Sequence, residues 1–327
     1  MAHTCRVLLF GLLAAVQAAD PPYLQYRAVA PLAFSSIVVF GDSFSDNGNG
    51  SARASNNAWP SDKYYAGRFS NGPVWPEYVA ANLSVPLYDY AVGGATSSNT
   101  LVQGYTGAGG TIAVPSVVDQ VAAFLDKTTT PQGGAFSASD STALAAPLFV
   151  VFAGANDILF NPNISASQTH QVLLQVVTRL RDAYPGSGVL AISPPDMSKL
   201  PHGFYVDTPT KQSLQSYTDL LGDLLGRSQR LAVRVDLGPL FEDFEYYAAP
   251  LAYGFDPLGK YGSCLEGAYG ETPNVTVCEH AERRVYWDEY QYAPPYTGAF
   301  SDFSRSPTTQ AHSWIANQVL DVLRGPF

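Results

Sequence analysis

The chain has 327 residues, 46% of them hydrophobic, enough for one large domain or two small ones and for a sizeable buried core. Its 28 acidic residues outnumber its 18 Lys and Arg, giving a net charge of −10 with no basic cluster, which sets nucleic acid and anionic membrane surfaces aside as partners. The 20 Tyr and 17 Phe suit core filling and sugar stacking alike and do not choose between them.

At the N-terminus, "MAHTCRVLLFGLLAAVQAAD" places Arg6 before the apolar run Val7–Val16, with small residues following. This pattern predicts a secretory signal peptide over 1–19, a single domain over 20–327 and an extracellular protein; a first core helix is the plainer alternative. No other segment is long and apolar enough for a membrane span. Cys5 would leave with the signal, so Cys264 and Cys278 are expected to form a disulfide. Two free thiols, or a metal site with His280, are the weaker readings. Sequons at Asn49, Asn82, Asn163 and Asn274 fit a secreted glycoprotein, and the last should make the Cys264–Cys278 loop an exposed one.

Five short, nearly continuous apolar runs follow: "SSIVVFGDSF", "VPLYDYAVGG", "PLFVVFAGAND", "SGVLAISPPD" and "LAVRVDLGPL". Strands covered on both faces read this way. Helical spacing over Gln168–Tyr184 and Thr210–Arg230 separates the later ones, so the expected fold class is α/β, a three-layer α/β/α sandwich around a parallel sheet. The terminal "SPTTQAHSWIANQVLDVL" reads as a helix capped by Ser306 with Pro307 in its first position. Gly104–Gly110 and Gln132–Ser141 read as loops.

Right-handed crossovers gather the strand C-termini at one end, and chemistry-bearing residues fall there. The first strand ends in "GDSFSDNGN", where a sharp turn presents Ser43; the second in "AVGGATSS", where Gly93-Gly94 lets main-chain N–H groups approach a reacting oxygen; the third in "AGANDIL", with Asn156. Singly, each is also an ordinary capped or tight turn. Together they supply a nucleophile and oxyanion donors. Asp46 and Asp157, beside them, are expected to tie loops together by accepting N–H bonds. With no G-x-S-x-G elbow present, the chain does not read as an α/β-hydrolase.

These three blocks resemble the GDSL, or SGNH, hydrolase family over nearly the whole mature chain, and "AGRFSNGPVW" (Ala66–Trp75) resembles its secreted plant and fungal branch. The resemblance implies a flavodoxin-like five-stranded sheet, Ser43 as nucleophile, and an oxyanion hole of the Ser43 and Gly94 N–H groups with the Asn156 amide. It implies ester hydrolysis through an acyl-enzyme, with no metal or organic cofactor and a small-molecule or oligosaccharide ester as substrate. The fungal carbohydrate-esterase branch points to acetyl groups on plant-wall oligosaccharides, with a lipid or phospholipid esterase as the alternative. A monomer is expected.

The family's last block, Asp-x-x-His-Pro, lies just before the final helix, a spacing at which the carboxylate can orient the imidazole. Here "WDEY" supplies Asp288 and ends at Tyr290, but "QYAPPYTGAFSDFSRS" stands between it and "PTTQAH". The histidine expected at a Tyr290–Pro307 junction is missing. Replacing 291–306 with one His gives "WDEYHPTTQAH", a complete block. Gln291-Tyr292-Ala293 can be encoded CAG-TAY-GCN, which contains an intron start, and Ser306 as AGY, which can close one; the join restores a His codon in frame. The segment 291–306 therefore reads as a translated intron, or else as a loop insertion expected to pack poorly outside the fold. His312 is the fallback base, His202 a rim candidate, and His170 and His280 read as surface residues. Without a base, the chain also reads as an inactive product or a carbohydrate-binding relic.

Overall fold

A computed structural model describes residues 34–127, 130–132, 137–204, 206–266, 275–288 and 306–325. The expected signal peptide, the side chain of His202, the sequon at Asn274, Tyr290 and all but the last residue of 291–306 lie outside this description.

The five apolar runs form five strands: β1 (Ser36–Gly41), β2 (Leu87–Asp89), β3 (Pro147–Phe152), β4 (Gly188–Ser193) and β5 (Val233–Asp236). They make one parallel sheet in the order β2-β1-β3-β4-β5. Every residue of β1 and β3 is buried, which is why these runs lack the polar alternation of a half-exposed strand. Helices α1 (Trp75–Leu83), α2 (Val117–Leu125), α3 (Ala166–Ala183), α4 (Thr208–Arg227) and α5 (Thr309–Arg324) flank the sheet, with α1 against α5, α2 against α3 and α3 against α4. The start of α3 is set by sequence: Ser165 accepts from the Gln168 N–H, and Gln168 accepts from the Ser165 N–H in return.

Three local expectations are corrected. The cap of α5 is Thr308, whose hydroxyl accepts from Ala311 N–H, and not Ser306. Pro307 is held extended in a bridge with Tyr286, so the helix cannot begin there. Gly104–Gly110 contributes Tyr105–Thr106 to a two-stranded hairpin with Ile112–Ala113. Within Gln132–Ser141, Ser137 caps a short helix, Ala138–Ala143, through Asp140.

A second sheet, order β8-β6-β7, comprises β6 (Ser263–Glu266), β7 (Thr276–Val277) and β8 (Tyr286–Asp288). The Cys264–Cys278 disulfide ties β6 to the end of β7. Its residues Cys264, Leu265 and Trp287 pack with Trp59, Tyr64 and Phe69 in a small core of their own.

Candidate active site

The turn after β1 is held from several sides. The Gln120 side-chain amide pairs with both main-chain groups of Gly41, donating to its oxygen and accepting from its nitrogen at 2.9 Å each. Asp42 then accepts from Phe44 N–H through its carboxylate and from Ser45 and Asp46 N–H through its carbonyl. Ser43 stands at the head of this turn, 6% exposed. Among the described residues, neither its hydroxyl nor its N–H has a hydrogen-bond partner.

Gly94 adopts φ +83°, and a Cβ there would collide with the Tyr105 carbonyl oxygen, so only glycine fits. Its N–H likewise has no acceptor among the described residues. Asn156 lies in the first turn of the short helix Ala155–Phe160 and donates one amide hydrogen to the Ala95 carbonyl at 2.9 Å, which leaves the other available. The turns after β1, β2 and β3 thus present two unsatisfied main-chain donors and half an amide, the donor set an oxyanion requires.

Two buried carboxylates bind these turns to one another, as their positions suggest. Asp46 accepts from the N–H groups of Gly48, Gly50, Ser51 and Gly93, which joins the serine turn to the glycine turn. Burial pushes its carboxyl above the ordinary value, while those donors pull the other way. Asp157 accepts from the N–H and hydroxyl of Ser97 and from Thr169, joining the Asn156 turn to the glycine turn.

Asp89, at the end of β2, is less well served. One of its oxygens accepts from Ala91 N–H at 3.0 Å; the other has no partner among the described residues. Burial, reinforced by the charges of Asp46 and Glu77 and opposed by Arg68, holds its carboxyl well above the ordinary range. The folded state therefore retains this proton where the unfolded chain has lost it, and stability falls as pH rises through that window. Asp89→Asn is expected to raise Tm at pH 8 by roughly 2–4 °C and to change it little near pH 4, as differential scanning calorimetry would show.

Asp288 is 0% exposed. One oxygen accepts from the Tyr64 hydroxyl at 2.7 Å and the other from the Ser306 N–H at 2.8 Å. Trp287 N–H donates to the Ser306 carbonyl at 2.7 Å, and Thr308 N–H to Val285 at 2.9 Å. Residues on either side of 289–305 thus meet directly, and Ser306-Pro307 stands where the family block has His-Pro. In place of the expected junction of Tyr290 with Pro307, the described residue before Pro307 is Ser306, and its contact is with Asp288.

The structure does not bring His312 to this group. It is 0% exposed in α5, and its Nδ1 accepts from Trp75 N–H at 3.3 Å. Nε2 has no partner among the described residues, and burial pushes the ring down to about pKa 3. No hydrogen bond among the described residues joins it to Ser43 or Asp288. His170 bonds Ser228, and His280 lies beside Glu282 on the surface.

The sequence profile described as GDSL-like Lipase/Acylhydrolase matches residues 37–319. The chain belongs to that family. Among curated proteins it is similar to the thermolabile hemolysin of Vibrio parahaemolyticus, 26% identical over 90% of this chain and 65% of that protein. It is also similar to the acetylesterase of Hypocrea jecorina, 31% identical over 41% of this chain and 38% of the relative. A third match, the phosphatidylcholine-sterol acyltransferase of Aeromonas hydrophila, is 42% identical over 28% of this chain and 25% of that protein. The chain thus spans less than two thirds of each.

Tyr64 and Gln120 are the site-supporting residues that sequence reasoning missed. Neither carries a local signal: Tyr64 reaches a residue 224 positions away and Gln120 one 79 positions away.

Proposed function

We propose that this GDSL-family protein is a secreted serine ester hydrolase that forms an acyl-enzyme on Ser43. The reading is carried by one observation: among the described residues, the Ser43 hydroxyl and the Ser43 and Gly94 N–H groups all lack a hydrogen-bond partner. The Ser43 oxygen attacks the ester carbonyl and its proton passes to a histidine. The carbonyl oxygen gains charge against Ser43 N–H, Gly94 N–H and the free Asn156 amide hydrogen. The histidine then protonates the departing alcohol, and water repeats the sequence on the acyl-enzyme. Asp288 orients that histidine.

In this chain position 306 holds serine, so the histidine of the family block is missing. The reading of 291–306 as a translated intron or surface insertion is supported by the contact of Asp288 with Ser306. With the segment replaced by one His between Tyr290 and Pro307, that residue would stand three positions after Asp288. At this spacing a carboxylate commonly accepts the i+3 N–H, the bond now made by Ser306. Sequencing cDNA across codons 286–312 tests it: a transcript reading "WDEYHPTT" supports the excision, and one retaining the segment overturns it.

For the substrate, the acetylesterase relative favours acetyl esters, and acetyl groups on plant-wall oligosaccharides are the form the family branch suggests. A lipid ester is the second reading, favoured by the exposed Tyr247, Leu251 and Leu258 and by the acyltransferase relative. With the histidine restored, p-nitrophenyl acetate is expected to be cleaved faster than the palmitate ester; the reverse order would select the lipid reading. Loss of neither rate in Ser43→Ala would remove Ser43 as the nucleophile. Of the sequons, Asn82 and Asn163 are exposed and suited to glycans, whereas Asn49 is half-buried in the Asp46 turn.

A further inference from the structure

The segment preceding α1 is stitched to the last block of the chain. Ser70 donates to the Pro307 carbonyl at 2.9 Å, Thr309 N–H to Asn71 at 2.7 Å, and the Thr309 hydroxyl to the Pro73 carbonyl at 2.9 Å. Arg68 anchors the same segment to α1 by a two-pronged bond to Glu77. All of these hold main chain or surface groups. One further bond falls on the acid itself, from the Tyr64 hydroxyl to the Asp288 oxygen facing away from residue 306.

From this geometry we infer that Tyr64 is the positioning residue of the Asp288 carboxylate, an inference that rests on the proposed reading of Asp288 as the acid. The two oxygens are held by donors from different elements, so the carboxylate plane cannot rotate without breaking a bond to a buried charge. The oxygen bonded by Ser306 is the one turned toward the residue before Pro307, where the histidine belongs. Tyr64 fixes the other and thereby keeps the first in place.

Tyr64 is itself well held. It is 5% exposed, and its ring meets Phe69 edge-on with centroids 6.2 Å apart. Phe69 in turn lies against Gly93, where a Cβ would collide with the ring. On the other side, β8 pairs with β6 at Asp288–Leu265, beside the disulfide-bonded Cys264. One small core therefore sets the hydroxyl, the carboxylate and the back of the glycine turn together.

The test compares Tyr64→Phe with the parent in the full chain carrying Ser306→His, using p-nitrophenyl acetate. The expected result is a fall in kcat of roughly tenfold with KM little changed. The acidic midpoint of the kcat/KM profile should move upward: a carboxylate relieved of the tyrosine proton holds the imidazolium more strongly. In an Asp288→Asn background the same substitution should have no further effect on kcat. An active parent whose kcat and pH midpoint are unmoved by Tyr64→Phe overturns the positioning role alone, as does an equal loss in the Asp288→Asn background. No turnover in a folded Ser306→His chain and in a folded chain with 291–306 replaced by one histidine overturns the acid–base reading and the positioning role with it.

Discussion

Ser306→His is expected to raise kcat/KM for p-nitrophenyl acetate by about 10²–10⁴-fold over the unaltered chain, the usual worth of a positioned general base. Position 306 is already built for it. Its N–H bonds Asp288 at 2.8 Å and its carbonyl accepts from Trp287 N–H at 2.7 Å. Pro307 follows, bridged to Tyr286, so the backbone carrying the new side chain is fixed beside the acid. An imidazole there can donate Nδ1–H to the carboxylate and turn Nε2 toward the serine. Ser306 is 1% exposed, so the larger ring must displace something. Replacing 291–306 by a single histidine, which joins Tyr290 to Pro307 through that residue, supplies the same group without that crowding and is expected to give a gain at least as large. Adding Ser43→Ala to either variant should return the rate to that of the unaltered chain. Two folded variants with no gain would show that the base does not act from this position.

Asp46→Ala is expected to cost about 3–5 kcal/mol in stability, the cost of breaking a buried charged network from one side. The substitution strands the N–H groups of Gly48, Gly50, Ser51 and Gly93, all of which now converge on one carboxylate. Among the described residues none of the four makes a hydrogen bond to any other acceptor, so each would lose its partner. Asp46→Asn should cost less, since an amide oxygen still accepts some of these bonds. Urea denaturation of the two variants checks the order. Because Gly93 N–H is one of the four donors, the loss also loosens the glycine turn from the serine turn. In a histidine-bearing background, kcat should therefore fall even at temperatures where Asp46→Ala remains folded.

Much of this architecture was legible in the chain itself. Continuous apolar runs mark strands buried on both faces, and each of the five became a strand of one parallel sheet. That Ser43, Gly94 and Asn156 stand in the turns at strand ends could be read because each lies within a few residues of an apolar run, and strand ends in a parallel α/β sheet collect on one side. The disulfide was legible from Cys264 and Cys278, the two cysteines outside the N-terminal apolar run, and the roles of Asp46 and Asp157 from their place beside sharp turns. In each case the signal and the structure it dictates occupy the same short stretch.

Tertiary structure decided what depends on long separations. His312 resembles a site residue in sequence, but helical phase turns it inward between α1 and α5, where desolvation keeps the ring neutral. Ser306 resembles a helix cap, but pairing of Pro307 with Tyr286 keeps the chain extended and passes the cap to Thr308. Tyr64 resembles nothing in particular, yet it holds the Asp288 carboxylate because a disulfide-bonded sheet is packed against its loop. By itself, the sequence determined the sheet, the serine turn and the donors at the strand ends, since local pattern and parallel topology suffice for these. Only packing decided which carboxylate is held, by whom and facing which residue, because a hydrogen bond between side chains 224 positions apart leaves no periodic trace in either segment.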